Sequence, residues 1–185
     1  ALAERFGVNR HTVRQAIAQL ARKGFVHVRP GLGTFVAESA VDYVLGRRTR
    51  FSENLGGAER QTRHRYVSSR IESASESIRR ALNLKPAERV LCIVSIGEAD
   101  GRPITWAEHW FSAKRFAGLD EHFKTGGSIS RALAACGIED FTRLRSTITA
   151  RLPSREIAHA LRQSEQRPAL VVEGINIDAL RRPIE

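Results

Sequence analysis

Asp100-Gly101 separates two runs of mainly apolar, alternating residues, Glu88 to Ala99 and Arg102 to Ser112. An Asp-Gly pair accepts the two positive φ angles of a type I′ turn, the strongest short-range signal for a tight hairpin. A chain with such a hairpin at its centre is committed to an antiparallel sheet, and its other elements must extend or cover that sheet. Counting outward from the turn, Ala99 is expected opposite Arg102, Gly97 opposite Ile104, Ser95 opposite Trp106 and Ile93 opposite Glu108. Directly paired residues share a face, so Ser95, Gly97, Trp106 and Glu108 are expected on one surface. On the other, Cys92 is expected to face His109.

Around this hairpin the pattern predicts a strand from about Arg63 to Glu72 and a helix capped by Ser73 with Glu76 at capping-box spacing. Leu82 and Leu84 close that helix before Pro86. Short helices are expected near 113–123, 128–136 and 154–164, and strands near Phe141–Leu152 and Ala169–Asp178, with a turn at Arg181-Arg182-Pro183. The expected class is α+β with a mainly antiparallel sheet.

The first residues read differently. Leu2, Ala3 and Phe6 end a helix that Gly7 stops. Asn9 is a good N-cap for a helix over Arg10–Arg22, whose stripe is Val13, Ile17 and Leu20. Phe25–Arg29 alternates like a strand, Pro30 to Gly33 is a turn, and Thr34–Val36 returns. The order is helix, turn, helix, hairpin. Residues 38–60 are polar and turn-rich, with Arg47, Arg48, Arg50, Asn54, Gly56 and Gly57, and are expected to be a linker. Residue 1 falls inside a helical pattern and Glu185 inside a strand pattern, so the sequence is expected to be clipped at both ends.

The chain carries a formal charge of +10, which favours a polyanionic partner, DNA above all. No stretch approaches the roughly 20 apolar residues of a membrane helix, and residues 1–5 do not read as a signal peptide. Cys92 and Cys136 are too few for a disulfide framework or metal cluster, and His27, His64, His122 and His159 lack metal-ligand spacing. No metal, cofactor or membrane partner is expected, and a cytoplasmic location is.

Six basic residues before residue 30 (Arg5, Arg10, Arg14, Arg22, Lys23 and Arg29) oppose only Glu4. Arg10, His11, Thr12 and Arg14 lie at the N-terminal end of the second helix, away from its apolar stripe. That is the end a recognition helix presents to the major groove. Arginine there can pair with guanine, and Thr12 can hold phosphate. The hairpin would be a wing, with Arg29, Pro30 and Gly31 at its tip. A solvated basic face on a small helical domain is the alternative.

The run Leu2-Ala3-Glu4-Arg5-Phe6-Gly7-Val8-Asn9-Arg10-His11-Thr12-Val13-Arg14-Gln15-Ala16, with Gly24-Phe25-Val26 and Gly31-Leu32-Gly33-Thr34-Phe35-Val36, resembles the GntR-family winged helix. The resemblance implies a DNA-binding domain over 1–37 that lacks its first helix. The remainder is similar to the UTRA effector domain of the HutC branch, which implies a chorismate-lyase-like fold over 61–185 without its C-terminal end. Arg48 to Leu55, Ala99 to Ile104 and Ala150 to Pro153 are similar to regulators of phosphonate metabolism of the PhnF type. The resemblance implies a homodimer on a double-stranded operator, a repressor by preference, and a small anionic effector such as phosphonate or phosphate. A sugar phosphate or urocanate is the alternative effector.

Many relatives carry two arginines where Ser95 and Gly97 stand. Here the expected effector contacts are Ser95, Glu108, Ser128 before a helix N-terminus, Arg50 and Ser52 at the domain junction, and Arg143, Arg145 and Arg151. The last three, with Thr147 and Thr149, are expected to alternate onto one strand face opposite Leu144, Ile148 and Leu152. Trp106 and Trp110 are expected on the pocket side. An enzyme is the reading of another class, resting on Cys92 with His109 or on Glu108. It is not the one adopted.

Overall fold

A computed structural model describes residues 2–23, 25–36 and 61–185. The chain divides into two compact units, Ala1–Val41 and Asp42–Glu185.

In the first unit, α1 (Leu2–Arg5) ends at Gly7, whose φ of 61° is a left-handed conformation that suits glycine. Asn9 then caps α2 (Arg10–Arg22), its Oδ1 accepting the Thr12 N–H at 2.9 Å. Strands β1 (Val26–Arg29) and β2 (Gly33–Val36) pair from Val26↔Val36 to Arg29↔Gly33. Between them Gly31 takes φ 76°. No residue of α1 or α2 is buried, and Phe6, Phe25 and Val36 are exposed.

The second unit is built on an antiparallel sheet of β3 (Thr62–Ser73), β4 (Arg89–Ala99) and β5 (Arg102–Ser112), in that order. β4 is central and buried from Val90 to Ala99, which explains its near-continuous apolar sequence. The helix after β3, α3 (Glu76–Ala81), is capped by Ser75 rather than Ser73, with Ser75 Oγ accepting the Ile78 N–H. α4 (Leu119–Gly126) begins later than the pattern suggested, because residues 113–118 form turns that lead to Gly118 at φ 81°. α5 (Ile129–Ala135) follows. Leu91, Ile93 and Phe111 pack with Phe116, Leu119, Phe123, Ile129, Leu133, Phe141 and Ile184 as one core. Each such apolar side chain contributes about 1.5–3 kcal/mol by leaving water.

A second hairpin, β6 (Phe141–Arg151) and β7 (Ala169–Asp178), flanks α6 (Arg155–Ala160). α6 ends at Ala160, with Arg162 at φ 53°, short of the helix expected to residue 164. After β7 the chain turns back. Asp178 holds the turn by accepting from the Leu180 and Arg182 N–H groups and from the Arg115 and Arg182 guanidiniums. Residues 183–185 then run antiparallel to β7, with the Ile184 N–H donating to the Asn176 carbonyl and the Asn176 N–H to the Glu185 carbonyl.

Two bulges correct the expected registers. Asp100 and Gly101 have φ 51° and 74°, and Ala99 pairs with Arg102, as a type I′ turn requires. Beyond it, Glu98 pairs with Pro103 but Gly97 with Thr105. Pro103 has no N–H to give, and the ladder steps over Ile104. Every later pair slips by one: Ser95↔Ala107, Val94↔Glu108, Ile93↔His109, Cys92↔Trp110. A one-residue slip exchanges the faces. Trp106, Glu108 and Trp110 therefore lie opposite Ser95, Cys92 does not face His109, and His109 joins Ser95. In β6 the register shifts between Arg143↔Asn176 and Arg145↔Ile175. Arg143 therefore turns away from Arg145, Thr147, Thr149 and Arg151 instead of sharing their face.

Candidate functional site

In the first unit, Arg10, His11, Thr12 and Arg14 are all exposed on the leading turns of α2. Thr12 Oγ1 donates to Asn9 Oδ1 at 3.2 Å, and His11 and Gln15 approach at 3.2 Å on the helix surface. In the hairpin, Arg29 lies over the Phe35 ring at 5.5 Å, with Pro30 and Gly31 exposed at the tip. An α-helix whose first turn offers arginines, with an exposed basic ribbon in the same unit, has the parts needed to contact bases and phosphates.

The second unit contains a polar string that crosses from one sheet to the other. Arg143 Nε donates to Asn176 Oδ1 at 2.8 Å, and Asn176 Nδ2 donates to Glu185 Oε2. Glu185 Oε1 accepts from His109 Nδ1 at 2.5 Å, and His109 Nε2 lies 3.1 Å from Ser95 Oγ. Ser95 Oγ in turn lies 3.5 Å from His64 Nδ1. Ser95 is fully buried and Asn176 nearly so. The His109 side chain is 14% exposed. Phe123 of α4 packs edge-on against the His64 ring.

The charges along the string are tuned by these neighbours. Burial, with the nearby His109, lowers His64 to about 4, and Glu185 opposes this only weakly. His64 is therefore neutral near pH 7. For Glu185, burial pushes the carboxyl up, but the hydrogen bond and charge of His109, Arg143 and the Asn176 amide outweigh it, and it stays ionised. An ionised carboxylate only accepts, so His109 Nδ1 carries a proton.

Arg143 reaches the string because Gly174 carries no side chain. A Cβ there would stand 1.5 Å from the Arg143 Nη1. Of these residues the sequence marks Ser95 and Arg143 as effector contacts and His109 only as a partner of Cys92 in the enzyme alternative, and it does not mark His64, Asn176 or Glu185 for this site. No motif marks them, and only the register of three strands and the returning segment brings them together.

The other expected effector residues lie elsewhere. Glu108 is exposed on the opposite face of β5. On that face Arg70 lies over the Trp110 ring at 5.3 Å, and the Trp106 indole N–H is buried with no hydrogen-bond partner among the described residues. Arg145 and Arg151 are exposed. Ser128 caps α5, its Oγ accepting the Arg131 N–H at 3.4 Å. Arg50 and Ser52 lie outside the described residues, as does the linker expected over 38–60. Cys92 is buried against Trp110, and burial pushes its thiol up to about 11, so it is a poor nucleophile. An open concavity of about 680 Å³ beside α6, lined by Arg155, His159 and Glu165 among others, has no buried polar side chain. The polar string is the better candidate for recognition chemistry. No metal-holding group of His, Cys, Asp or Glu occurs among the described residues.

Comparison with known proteins follows the same division. Residues 1–36 match the profile of bacterial regulatory proteins of the gntR family, and residues 57–185 match the UTRA domain. An uncharacterized HTH-type transcriptional regulator, RB1450, of Rhizobium meliloti (strain 1021) is 36% identical over 100% of this chain and 76% of its own length. The Escherichia coli (strain K12) protein named "Probable transcriptional regulator PhnF" is 30% identical over 95% of this chain and 72% of its own. The crystal structure of PhnF from Mycobacterium smegmatis superimposes with a TM-score of 0.72 at 27% identity, covering 98% of this chain and 80% of that one. These families and relatives are transcription regulators rather than enzymes. The chain belongs to the GntR family of bacterial regulatory proteins, in the branch that carries a UTRA domain.

Proposed function

We propose that this chain is a repressor that binds a double-stranded operator as a homodimer and loosens or tightens its grip when a small anionic metabolite occupies the second unit. The winged helix would span 1–37, and the effector domain 61–185. Arg10, His11 and Arg14, exposed together on the first turns of α2, carry the DNA side of this reading. The wing tip of Arg29, Pro30 and Gly31 supports it, as does the net charge of +10. One such helix makes few base contacts, so two copies on a pseudo-palindromic site are the economical arrangement. A phosphonate or phosphate is the proposed effector class. It rests on the resemblance and on the arginine-rich β6, where Arg143, Arg145 and Arg151 lie.

The test is a titration of duplex DNA selected by the full chain from a random pool. Arg14→Ala is expected to weaken binding by about 1–3 kcal/mol if its guanidinium reads a base. A chain in which Arg10→Ala and Arg14→Ala leave affinity for the selected duplex unchanged would refute this docking.

A further inference from the structure

We propose that His64, Ser95 and His109 form an anion site that acquires its positive charge by taking up a proton, so that effector and proton bind together. This rests on the effector-binding reading above and names the chemistry of its site.

The geometry carries the argument. Two imidazoles from the outer strands β3 and β5 converge on one hydroxyl of the central strand, His64 Nδ1 at 3.5 Å and His109 Nε2 at 3.1 Å from Ser95 Oγ. The ring centroids are 6.4 Å apart. Ser95 is fully buried, whereas both histidines are partly exposed. On the same face Gly97 and Ala107 add no more than a methyl group, and Thr105 adds a hydroxyl. A hydroxyl between two imidazoles can give its proton to only one of them. The second ring must then donate to the hydroxyl or carry a proton outward.

Among the described residues, the charged groups around the pair have partners of their own. Glu185 accepts from His109 and Asn176. Arg143 donates to Asn176 and Ser146. From α4, Asp120 accepts from Ser69, and Lys124 pairs with Glu121 and Asp120. The Tyr66 hydroxyl donates to Ser69. His64 is an imidazole, a group that can gain a proton when a counter-charge arrives. Burial and the neighbouring ring hold His64 neutral in the empty site. An anion against His64 offsets both effects. It supplies a counter-charge to the imidazolium and screens it from His109. A proton from solvent then settles on His64 as the anion binds. By linkage, one proton taken up makes binding about tenfold tighter for each unit the pH falls, above the free value of His64 and below its bound value.

Sulfate is the probe of choice, because its own charge is constant across the range. Calorimetric titration of the full chain with sulfate, at about pH 5.5 and about pH 7.5 and in two buffers of different ionisation heat, reads both affinity and protons. The expected result is binding tighter by tenfold or more at the lower pH, with about one proton taken up. His64→Gln keeps a hydrogen-bonding group beside Ser95 but cannot charge, and is expected to lose the pH dependence with thermal unfolding little changed. His64→Asn, which likewise cannot charge, is the second variant, should the first fail to fold. Failure of sulfate to bind, binding that is flat with pH, or an unchanged slope in the folded variants would each overturn the proposal. Binding of the selected duplex, measured on the same samples, separates the two readings. Duplex release by phosphate or methylphosphonate that His64→Gln leaves intact would sink this site and spare the regulator. A wild-type chain that binds no duplex would sink the regulator, whatever sulfate does.

Discussion

His109 Nδ1 stands 2.5 Å from Glu185 Oε1, and this contact ties an outer strand of the three-stranded sheet to the segment running beside β7. Asn176, from β7, holds the other carboxylate oxygen. The two sheets of the second unit are thus joined through one carboxylate whose partners are mostly buried. A hydrogen-bonded charge in such a place contributes more than a surface pair, because the groups it satisfies cannot turn to water.

Glu185→Ala leaves the His109 Nδ1–H and the Asn176 amide without their acceptor. The expected loss is about 1–3 kcal/mol, read by denaturant unfolding of the full chain. Glu185→Gln keeps one acceptor oxygen and is expected to lose less. Equal stability in wild type and Glu185→Ala would show that the bridge contributes nothing.

Gly174→Ala places a methyl group where the Arg143 guanidinium lies. The obstructing atoms are the far end of a flexible side chain, so the backbone has no need to move. Stability is expected to fall by less than about 1 kcal/mol, while Arg143 swings off Asn176. A double-mutant cycle checks this. Once Gly174→Ala is present, Arg143→Ala should have little further effect.

Acid should destabilise the chain in two stages. His64 sits at about 4 against an ordinary 6.5, because burial disfavours its charged form. The unfolded chain therefore binds this proton first. The stability this group supplies is complete above pH 6.5 and is lost as the pH falls to about 4. Asp178 sits at about 2 against 3.8: burial raises it, but the Arg182 N–H and the Arg115 and Arg182 guanidiniums lower it more. Its contribution is complete above pH 3.8 and is lost towards pH 2. Unfolding midpoints across this range should show both losses, and His64→Gln should remove the first alone.

Arg29→Ala tests the wing. If Arg29 meets a phosphate, the salt dependence of duplex binding should lose about one unit of slope, with affinity falling similarly for all sequences. A change confined to one base position would place Arg29 in a groove instead.

Cys136 is half-buried and Cys92 fully buried with its thiol at about 11. Iodoacetamide is expected to label Cys136 first in the folded chain, and Cys92 only on unfolding. Early labelling of Cys92, followed by mass spectrometry, would contradict its placement in the sheet.

Much of this protein was legible in local chemistry. Asn9 caps α2 because its side chain reaches the Thr12 N–H three residues on, and Asp100-Gly101 turns the hairpin because both residues accept positive φ. Such signals act over a few residues, so a linear reading finds them. It also finds the exposed basic turn of α2, since an apolar stripe at helical spacing dictates which side faces out. The polar string was hidden for a different reason. Whether Ser95 meets His109 or Trp106 depends on one residue, Ile104, that the ladder skips beside Pro103. Whether Arg143 meets Asn176 depends on a second skipped position at Leu144 and on the bare backbone of Gly174. Period-two alternation carries no memory across a bulge, so one extra residue exchanges the faces of all that follow. His64, His109 and Glu185 are far apart along the chain, and the packing of three strands against a returning segment makes them neighbours.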